Sequence, residues 1–493
     1  MSKGKNTIVR NFIYNSSYQL LLICIPLILT PYLSRVIGAN GMGTYSYVFT
    51  VSDYFALFAM LGIKNHGSRV IAKARDNKKN LSKAFWSIYY IQIITTSIAI
   101  IAYILYVIFF CEKSYKIYAF IEVLYLLSVA IDFTWFFAGL EDFKNIVVKN
   151  TVVKLATIVL IIFFVRDIED LYKYIFIMSA GYLLGNLSLI KKVTESVYFI
   201  RVDIEDVKSN IKPILVLFIS VLAISLYKSM DKIMIKQLGN ITQLGYYEYA
   251  DKISYIQVCL TTAFGTVMLP RMANLSNNIE IDKVKEIIRI AMTGVMCLSI
   301  GISLGIIAIS DDFVPLYLGQ KYECVSNIVK LLVISGIFVS WANVIRTLYL
   351  IPFGKDKVYV KSVLIGAILN VILNAVLIPF IGAKGAAIAT IGAEASVAIY
   401  QTICAKNIIC IKNIISDMLG LIVAGEIMYV CVIALADIVP NRIVNILIQA
   451  ISGFLVYGLI VIVLLFLFRK DWAKKICKKY KNSKQNKLFK KVK

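Results

Sequence analysis

Residues Ile443–Phe468 read IVNILIQAISGFLVYGLIVIVLLFLF, a run that contains no Asp, Glu, Lys or Arg. At a helical rise of about 1.5 Å per residue, this run is long enough to cross a hydrocarbon core about 30 Å thick. Because lipid offers no partner to backbone N–H and C=O groups, such a run must be a helix. Four further runs without charge have the same character: Asn11–Ser34, Ala84–Cys111, Ile290–Ser310 and Ser362–Ala383.

The pattern continues along the whole chain of 493 residues, in which 59% of residues are hydrophobic and only 17% are charged. It predicts an all-α integral membrane protein with about 14 transmembrane helices. The connections between the helices are short, which leaves almost no chain for a soluble domain. The predicted spans are 12–34, 43–63, 84–110, 117–138, 146–165, 173–190, 213–237, 246–269, 288–310, 325–351, 360–381, 385–405, 416–436 and 443–468.

The distribution of positive charge predicts the orientation of the chain. Most of the 53 Lys and Arg residues fall in the N-terminus, in the even-numbered loops and in the tail 469–493. Because cytoplasmic loops carry the excess of Lys and Arg, both termini are expected in the cytoplasm. The net charge of +24 is then explained by topology and by attraction to membrane lipids, so no nucleic-acid partner is predicted. We interpret the tail as a basic cytoplasmic segment that binds lipid headgroups.

The residues that usually hold metals or carry out catalysis are scarce. The nine cysteines form no CxxC pair and lie mostly within predicted spans, and the only histidine, His66, lies in a basic loop. We therefore expect no cofactor and no metal site. The predicted outer loops, such as Arg166–Leu171 and Asp311–Cys324, are too short for an extracellular catalytic platform, so the chain is not expected to be an enzyme.

The sequence contains an internal repeat at an offset of 202 residues, which we call the echo. In it Gly43 matches Gly245, Tyr45 matches Tyr247, Tyr47 matches Tyr249 and Arg69 matches Arg271. An offset of about six spans preserves the orientation of each helix, which indicates parallel repeats of the kind found in many secondary transporters. The predicted domains are two six-helix lobes, 1–195 and 205–410, then two additional helices in 411–468 and the basic tail. A site would lie between the lobes near the middle of the membrane.

Two neighbouring predicted spans carry charges on one helical face. A charge in the middle of the bilayer is costly, so it should face a cavity or a partner. Two interpretations remain open: an internal salt-bridge cluster that holds helices together, or the wall of a hydrated pathway with anion-binding and protonatable groups. The charges recur at positions i, i+3 and i+4 in both spans, as Lys228, Asp231 and Lys232, and as Glu248, Asp251 and Lys252.

Several motifs, in this order and at these spacings, resemble bacterial oligosaccharide flippases of the multidrug/oligosaccharidyl-lipid/polysaccharide exporter superfamily. They span nearly the whole chain: Thr30–Gly38 (TPYLSRVIG), Gly43–Tyr47 (GTYSY), Leu61–Asn65 (LGIKN), Gly67–Arg69 (GSR), Trp135–Glu141 (WFFAGLE), Asp231–Ile235 (DKIMI) and Ile381–Ala387 (IGAKGAA). The resemblance implies two six-helix lobes around a central cavity, and two additional helices. It also implies a polyprenyl-pyrophosphate-linked oligosaccharide as substrate, moved across the bacterial cell membrane by alternating access for O-antigen, capsule or exopolysaccharide assembly.

Charge and resemblance together give the candidate site residues. Cations at several depths suit an anionic substrate, and Arg35 aligns well with the family pattern. Buried carboxylates could couple transport to H⁺ or Na⁺, and a polysaccharide polymerase is a candidate partner. The predicted substrate-binding residues are Arg35, Lys154, Lys228, Lys232, Lys252 and Arg346, and the predicted ion-coupling residues are Asp53, Asp231, Asp251 and Glu248.

Two alternatives stay open at this point. A multidrug or lipid II-type exporter would share the fold, but an exporter of organic cations should line its spans with carboxylates and aromatic residues rather than lysines. A membrane polysaccharide polymerase would need a substantial outer loop with catalytic residues, and the predicted loops are short.

Overall fold

The computed structural model of the chain describes residues 25–277, 281–409, 411–436 and 438–468, without the side chains of 143, 263–283, 411–413 and 465–468. Within these residues the chain is helical almost throughout and contains no β-strand, which confirms the predicted all-α class. The helices are α1 (25–36), α2 (Gly38–Met60), α3 (Ile63–Ala74), α4 (Lys78–Phe109), α5 (Lys116–Ile121), α6 (Val123–Ala130), α7 (Thr134–Gly139), α8 (Phe143–Phe164), α9 (Leu171–Ser196), α10 (Ile204–Leu238), α11 (Ile241–Asn277), α12 (Ile281–Leu318), α13 (Glu323–Ile345), α14 (Asp356–Ile381), α15 (Ala383–Cys404), α16 (Ile411–Ala434) and α17 (Arg442–Phe468).

Twelve of the described helical segments are long and apolar enough to cross a membrane. Large apolar side chains cover their outer surface, and Phe110, Phe380 and Phe454 are 79%, 83% and 79% exposed. Such exposure is expected where lipid, rather than water, surrounds the helices. The chain is therefore a multi-pass membrane protein, as the sequence predicts.

The difference between about 14 predicted spans and the twelve observed arises at two places. The predicted span 12–34 lies mostly outside the described residues, and only its end is visible as α1. The predicted span 246–269 lies within α11, and three charged residues interrupt the apolar sequence of that span. The side chain of Arg271 and the tail 469–493 also lie outside the described residues.

One predicted span is broken in the structure. Residues 117–138 form three short helices, α5 to α7, instead of one long one. At the second break, the side-chain amide of Gln92 donates to the carbonyl oxygens of Val129 (2.8 Å) and Asp132 (3.2 Å). The same amide accepts a hydrogen bond from the indole N–H of the buried Trp135 (2.9 Å). A side chain of α4 thus donates to carbonyls at a break where the regular i to i+4 helical bonding is interrupted.

Two of the quoted motifs pack directly against each other. A Cβ atom on Gly67 would lie 2.6 Å from the ring of Trp135, and a Cβ atom on Gly139 would lie 2.6 Å from the Cβ of Ile71. Only glycine lets α3 and α7 approach this closely. The motifs around Gly67 and Trp135 therefore form one packing unit.

The chain divides into two compact units. The first comprises residues 1–259 and 357–397, and the second comprises residues 260–356 and 398–493. These two units are defined by contacts between residues, whereas the predicted lobes are defined by a sequence repeat. The units therefore do not test the lobes, which stay a prediction.

Small hydroxyl groups and an aromatic ring join the helices of the second unit. Ser303 of α12 donates to the carbonyl of Val333 on α13 (2.9 Å). Tyr457 of α17 donates to the carbonyl of Cys297 on α12 (2.8 Å). The described part of this unit is therefore arranged around α12, which contacts α13, α16 and α17.

In the first unit, α2 and α11 cross with their backbones almost in contact. A Cβ atom on Gly43 would lie 2.0 Å from the carbonyl oxygen of Ile241, and a Cβ atom on Gly245 would lie 1.8 Å from that of Ala39. Ile241 and Gly245 follow Ala39 and Gly43 by 202 positions, the offset of the echo. The contact is unchanged when the two helices are exchanged, which is the geometry of a local twofold axis.

Candidate functional site

Glu248 of α11 is the centre of a cluster of charges in the first unit. Its carboxylate lies 2.8 Å from Nζ of Lys232 on α10 and 3.9 Å from Nζ of Lys252, one turn further along α11. Ser46 of α2 donates a hydrogen bond to it at 2.8 Å. The side chain of Glu248 is 10% exposed, whereas the two lysine side chains are 22% and 23% exposed. We call Ser46, Lys232, Glu248 and Lys252 the lysine cluster.

The lysine cluster brings together the charged faces that the helical spacing predicts. Ser46 and Glu248 differ by 202 positions, so this hydrogen bond joins two equivalent positions of the echo. Two positions that a twofold axis exchanges can contact each other only if both lie close to that axis. The charged faces of α10 and α11 therefore meet beside the glycine crossing, where α2 also contributes a polar group.

Asp231 precedes Lys232 in the chain but has different partners. Its oxygens accept hydrogen bonds from the side-chain amide of Asn374 (2.6 Å), the hydroxyl of Tyr247 (3.0 Å) and the hydroxyl of Thr390 (3.1 Å). Asn374 in turn donates to Asn370, one turn earlier on α14 (3.0 Å). A buried carboxylate is thus held by neutral groups from three other helices, α11, α14 and α15. Two of these groups bring hydroxyl oxygens to within 3.1 Å of it.

The other two predicted ion-coupling residues lie in less crowded places. Asp53 of α2 accepts a hydrogen bond from the hydroxyl of Tyr125 on α6 (2.7 Å) and borders a cavity. Asp251 is partly buried on α11, next to Lys252 of the lysine cluster. Among the described residues, no group of three or more His, Cys, Asp and Glu side chains could hold a metal ion.

The remaining predicted cations are spread over the fold. The guanidinium of Arg35 donates to the carbonyl of Pro31 in its own helix (2.7 Å). Lys154 is partly buried on α8, and Lys228 is exposed on α10. Arg346 belongs to the second unit, in the π-helical turn after α13, and donates to Asn343. Of the six predicted substrate-binding residues, Lys232 and Lys252 are the two that the structure places in one cluster.

Known proteins share this sequence pattern. A family model described as polysaccharide biosynthesis protein matches residues 8–276, more than half of the chain. The chain belongs to the polysaccharide biosynthesis protein family. This assignment agrees with the family expected from the motifs.

Individual relatives of this polysaccharide biosynthesis family member cover most of its length. A Shigella dysenteriae protein named "Putative O-antigen transporter" is 22% identical over 401 residues, which is 80% of this chain and 98% of the relative. A protein of the same name from Escherichia coli (strain K12) is 24% identical over 417 residues, 83% of this chain and 99% of the relative. The structure of the lipid II flippase MurJ in an inward closed conformation aligns with a TM-score of 0.74 at 17% identity and covers 94% of this chain and 100% of that one. The structural likeness shows that the two chains share a fold.

The uncharged residues of the candidate site were not predicted from the sequence. They are Ser46 at Glu248, Tyr125 at Asp53, and Tyr247, Asn374 and Thr390 at Asp231. Two signals were available in the sequence. Asn370 and Asn374 lie one turn apart in an otherwise apolar span, and Ser46 and Glu248 stand at the echo offset between matched tyrosines.

Proposed function

We propose that this protein is a flippase that moves a polyprenyl-pyrophosphate-linked oligosaccharide from the inner to the outer leaflet of the bacterial cell membrane, for surface polysaccharide assembly. The family assignment and the O-antigen transporters among its relatives support this substrate class. The observation that carries the proposal is the lysine cluster, in which two lysines lie within 4 Å of one buried carboxylate inside an apolar helical bundle. Their side chains remain partly exposed and can meet a ligand.

The chemistry of the substrate explains why a cluster of this kind is needed. A pyrophosphate carries about two negative charges, and burying them without partners would cost more than folding stability can supply. Lys232 and Lys252 can neutralise the pyrophosphate while the polyprenyl tail stays in the lipid. In that state Glu248, which now pairs with Lys232, would share the lysine with the ligand and so keep binding reversible.

The energy source follows from the same charges. With the cytoplasm negative, outward movement of two negative charges across 100 mV is favourable by about 4–5 kcal/mol. Coupling to H⁺ or Na⁺ would add to this, and Asp231 is the best supported of the four predicted ion-coupling residues. It is a buried carboxylate whose three hydrogen-bond donors are neutral, so gain or loss of a cation there would change the local charge by one unit.

The proposed arrangement has both termini in the cytoplasm, and membrane lipids and a polysaccharide polymerase as neighbours. It involves transport without catalysis. An exporter of organic cations would need carboxylates rather than lysines at its binding site, and the two lysines of the lysine cluster disfavour that alternative. The six predicted substrate-binding residues and the three remaining ion-coupling residues stay part of the proposal, with Lys232, Lys252 and Asp231 as its first tests.

The experiment measures flipping in proteoliposomes loaded with labelled lipid-linked oligosaccharide extracted from the host. Flipping is followed as the fraction of glycan that periodate, added outside, can oxidise. Lys252→Gln should reduce the rate by about tenfold or more, the effect of losing one charge partner worth at least 1.4 kcal/mol. It should leave membrane insertion unchanged, because Glu248 keeps Lys232 as its partner at 2.8 Å.

A matched control is Lys330→Gln, which removes a lysine of similar exposure (27%) that pairs with Asp311 in the second unit. It should flip at the wild-type rate. Equal rates for Lys252→Gln and the wild type would refute the binding role of the cluster. Absence of flipping by the wild-type protein itself would refute the proposed function.

A further inference from the structure

A polar cavity of about 430 Å³ lies in the first unit, in an otherwise apolar set of helices. It is bordered by the end of α2, the start of α3, α6, α8 and α9. We call it the tyrosine pocket and define it by six of its lining residues: Asp53, Lys64, Tyr125, Asp132, Lys149 and Tyr182. Its volume falls within the range of about 300–1,000 Å³ typical of small-molecule sites.

The charges of the tyrosine pocket balance one another. Lys64 pairs with Asp132 at 3.3 Å, and Lys149 donates to Asn186 at 2.8 Å. Asp53, as described above, accepts from a tyrosine hydroxyl. Two lysines and two aspartates give no net charge, so the pocket does not favour an anion or a cation. It does present fixed hydrogen-bond donors and acceptors, which suits a neutral ligand that carries many hydroxyl groups.

Aromatic rings complete one wall. Tyr125 and Tyr182 meet edge to face with their centroids 5.2 Å apart, and Phe49 stacks on Tyr182 at 6.3 Å. A pyranose ring has hydroxyl groups around its edge and C–H groups on its faces. A site with tyrosine faces beside carboxylates, amides and lysines matches both parts of such a ring.

The position of the tyrosine pocket relates it to the lysine cluster. Ser46 of the lysine cluster and Asp53 of the pocket lie seven residues apart on α2. Two turns of helix place them on the same face, about 10 Å apart along the axis. A ligand with its pyrophosphate at the lysine cluster and its sugars directed along α2 would therefore reach the pocket.

The open end of the pocket also fits the direction of transport. Lys64 and Asn65, which border it, are exposed at the start of α3, in a loop predicted to be cytoplasmic. Under the proposed function, the substrate starts in the leaflet on that side of the membrane.

We propose that the tyrosine pocket binds sugar rings of the glycan while the lysine cluster holds the pyrophosphate. This inference rests on the proposed function. In this arrangement Asp53 accepts a hydrogen bond from a glycan hydroxyl, and Tyr182 packs against a sugar face. The tyrosine pocket then determines the specificity for the glycan, and the lysine cluster provides the affinity for the pyrophosphate.

The test compares two probes on the full-length protein in nanodiscs. One probe is the glycan-bearing polyprenyl pyrophosphate extracted from the host, and the other is undecaprenyl pyrophosphate without sugar. The ratio of the two Kd values isolates the contribution of the glycan. For the wild type we expect the glycan-bearing lipid to bind about tenfold tighter. Tyr182→Ala should reduce the ratio to within twofold of unity and leave the Kd of the sugar-free lipid unchanged.

Three further variants complete the design. Tyr172→Ala removes a tyrosine of the same helix with similar exposure, 46% against 42% for Tyr182, and should keep the wild-type ratio. Asp53→Asn keeps the shape of the pocket and should lower the ratio several-fold in a protein that folds normally. Lys252→Gln should weaken both lipids and preserve their ratio.

The outcomes distinguish failure of the glycan site from failure of the proposed flippase function. A wild type that binds both lipids equally well, or a Tyr182→Ala variant that keeps the full ratio, would overturn the glycan site and leave the flippase proposal intact. A Tyr182→Ala variant that weakens both lipids equally would also overturn it, since the residue would then act through the fold. A wild type that binds neither lipid would overturn the proposed function itself.

Discussion

Gly245→Ala probes the crossing of α2 and α11. The new Cβ atom would lie 1.8 Å from the carbonyl oxygen of Ala39, 2.6 Å from its carbonyl carbon and 2.9 Å from its Cα. These are backbone atoms, so no side-chain rotation can relieve the contact. Ordinary contacts of a Cβ atom are 3.4–4 Å. The two helices must therefore separate by more than about an ångström, a large change for a close-packed interface.

The expected cost combines three effects. Overpacking against rigid atoms costs about 1–3 kcal/mol. Separation of the helices also stretches the Ser46–Glu248 hydrogen bond from 2.8 Å, and loss of a bond to a charged group costs about 1.5–3 kcal/mol. The higher helix propensity of alanine returns about 1 kcal/mol. Gly245→Ala should therefore reduce the free energy of unfolding by about 3 kcal/mol, within a range of about 1.5–5 kcal/mol.

Unfolding in mixed micelles with increasing SDS measures this change. Trp135, which is 1% exposed in the first unit, should report the transition through its fluorescence. The control is Gly458→Ala in α17, where an added Cβ would meet no atom within 4 Å. That variant should be as stable as the wild type or more stable, by up to about 1 kcal/mol.

The local twofold relation makes a sharper prediction. Gly43→Ala should cost about as much as Gly245→Ala, because each Cβ meets the equivalent carbonyl of the other helix, at 2.0 and 1.8 Å. One movement of α2 away from α11 relieves both contacts. The double variant should therefore lose less stability than the two single variants added together, by about 1 kcal/mol or more. Additive costs, or a Gly245→Ala variant within about 0.5 kcal/mol of the wild type, would show that the crossing is not as close as the structure indicates.

Three further predictions concern the hydrogen bonds of buried groups. Gln92→Leu should cost about 2–4 kcal/mol in the same unfolding assay. The carbonyl of Asp132 and the indole N–H of Trp135 lose their partner, and the carbonyl of Val129 keeps only the backbone N–H of Asp132. A change under about 1 kcal/mol would contradict this. Asn374→Leu should lower the dependence of flipping on an H⁺ or Na⁺ gradient by disturbing Asp231, and unchanged gradient dependence would remove this group from the coupling site. Tyr457→Phe should cost about 1 kcal/mol, from one hydrogen bond in the second unit, with no effect on lipid binding, and weaker binding would contradict it.

The helices could be predicted because lipid permits few alternatives. A long run without charges has to pair its own backbone groups, so Ile443–Phe468 gave α17 almost residue for residue. The breaks between α5, α6 and α7 could not be predicted in the same way. They depend on the amide of Gln92, which comes from α4 and reaches the carbonyls only in the folded chain.

The charged part of the site could also be predicted, and the neutral part could not. Charges at i, i+3 and i+4 indicate a polar helical face, and that face does form the contact between Lys232 and Glu248. The partners of Asp231 are an amide and two hydroxyl groups from three other helices. Such groups are common in membrane helices, where they also bind neighbouring backbone, so their presence does not indicate which carboxylate they approach.

In the proposed mechanism, the echo accounts for a division of roles between the two halves of the chain. At the offset of 202 residues, Thr30 and Thr50 occupy the positions that correspond to Lys232 and Lys252. The first half therefore offers neutral hydroxyl groups where the second half offers charge. A symmetric pair of charged sites would attract two anions to one axis, where their repulsion would be strong in a medium of low dielectric constant. With the lysines on one side only, the proposed site would bind a single pyrophosphate beside the axis, and the tyrosine pocket of the first half would recognise the uncharged remainder of the same ligand.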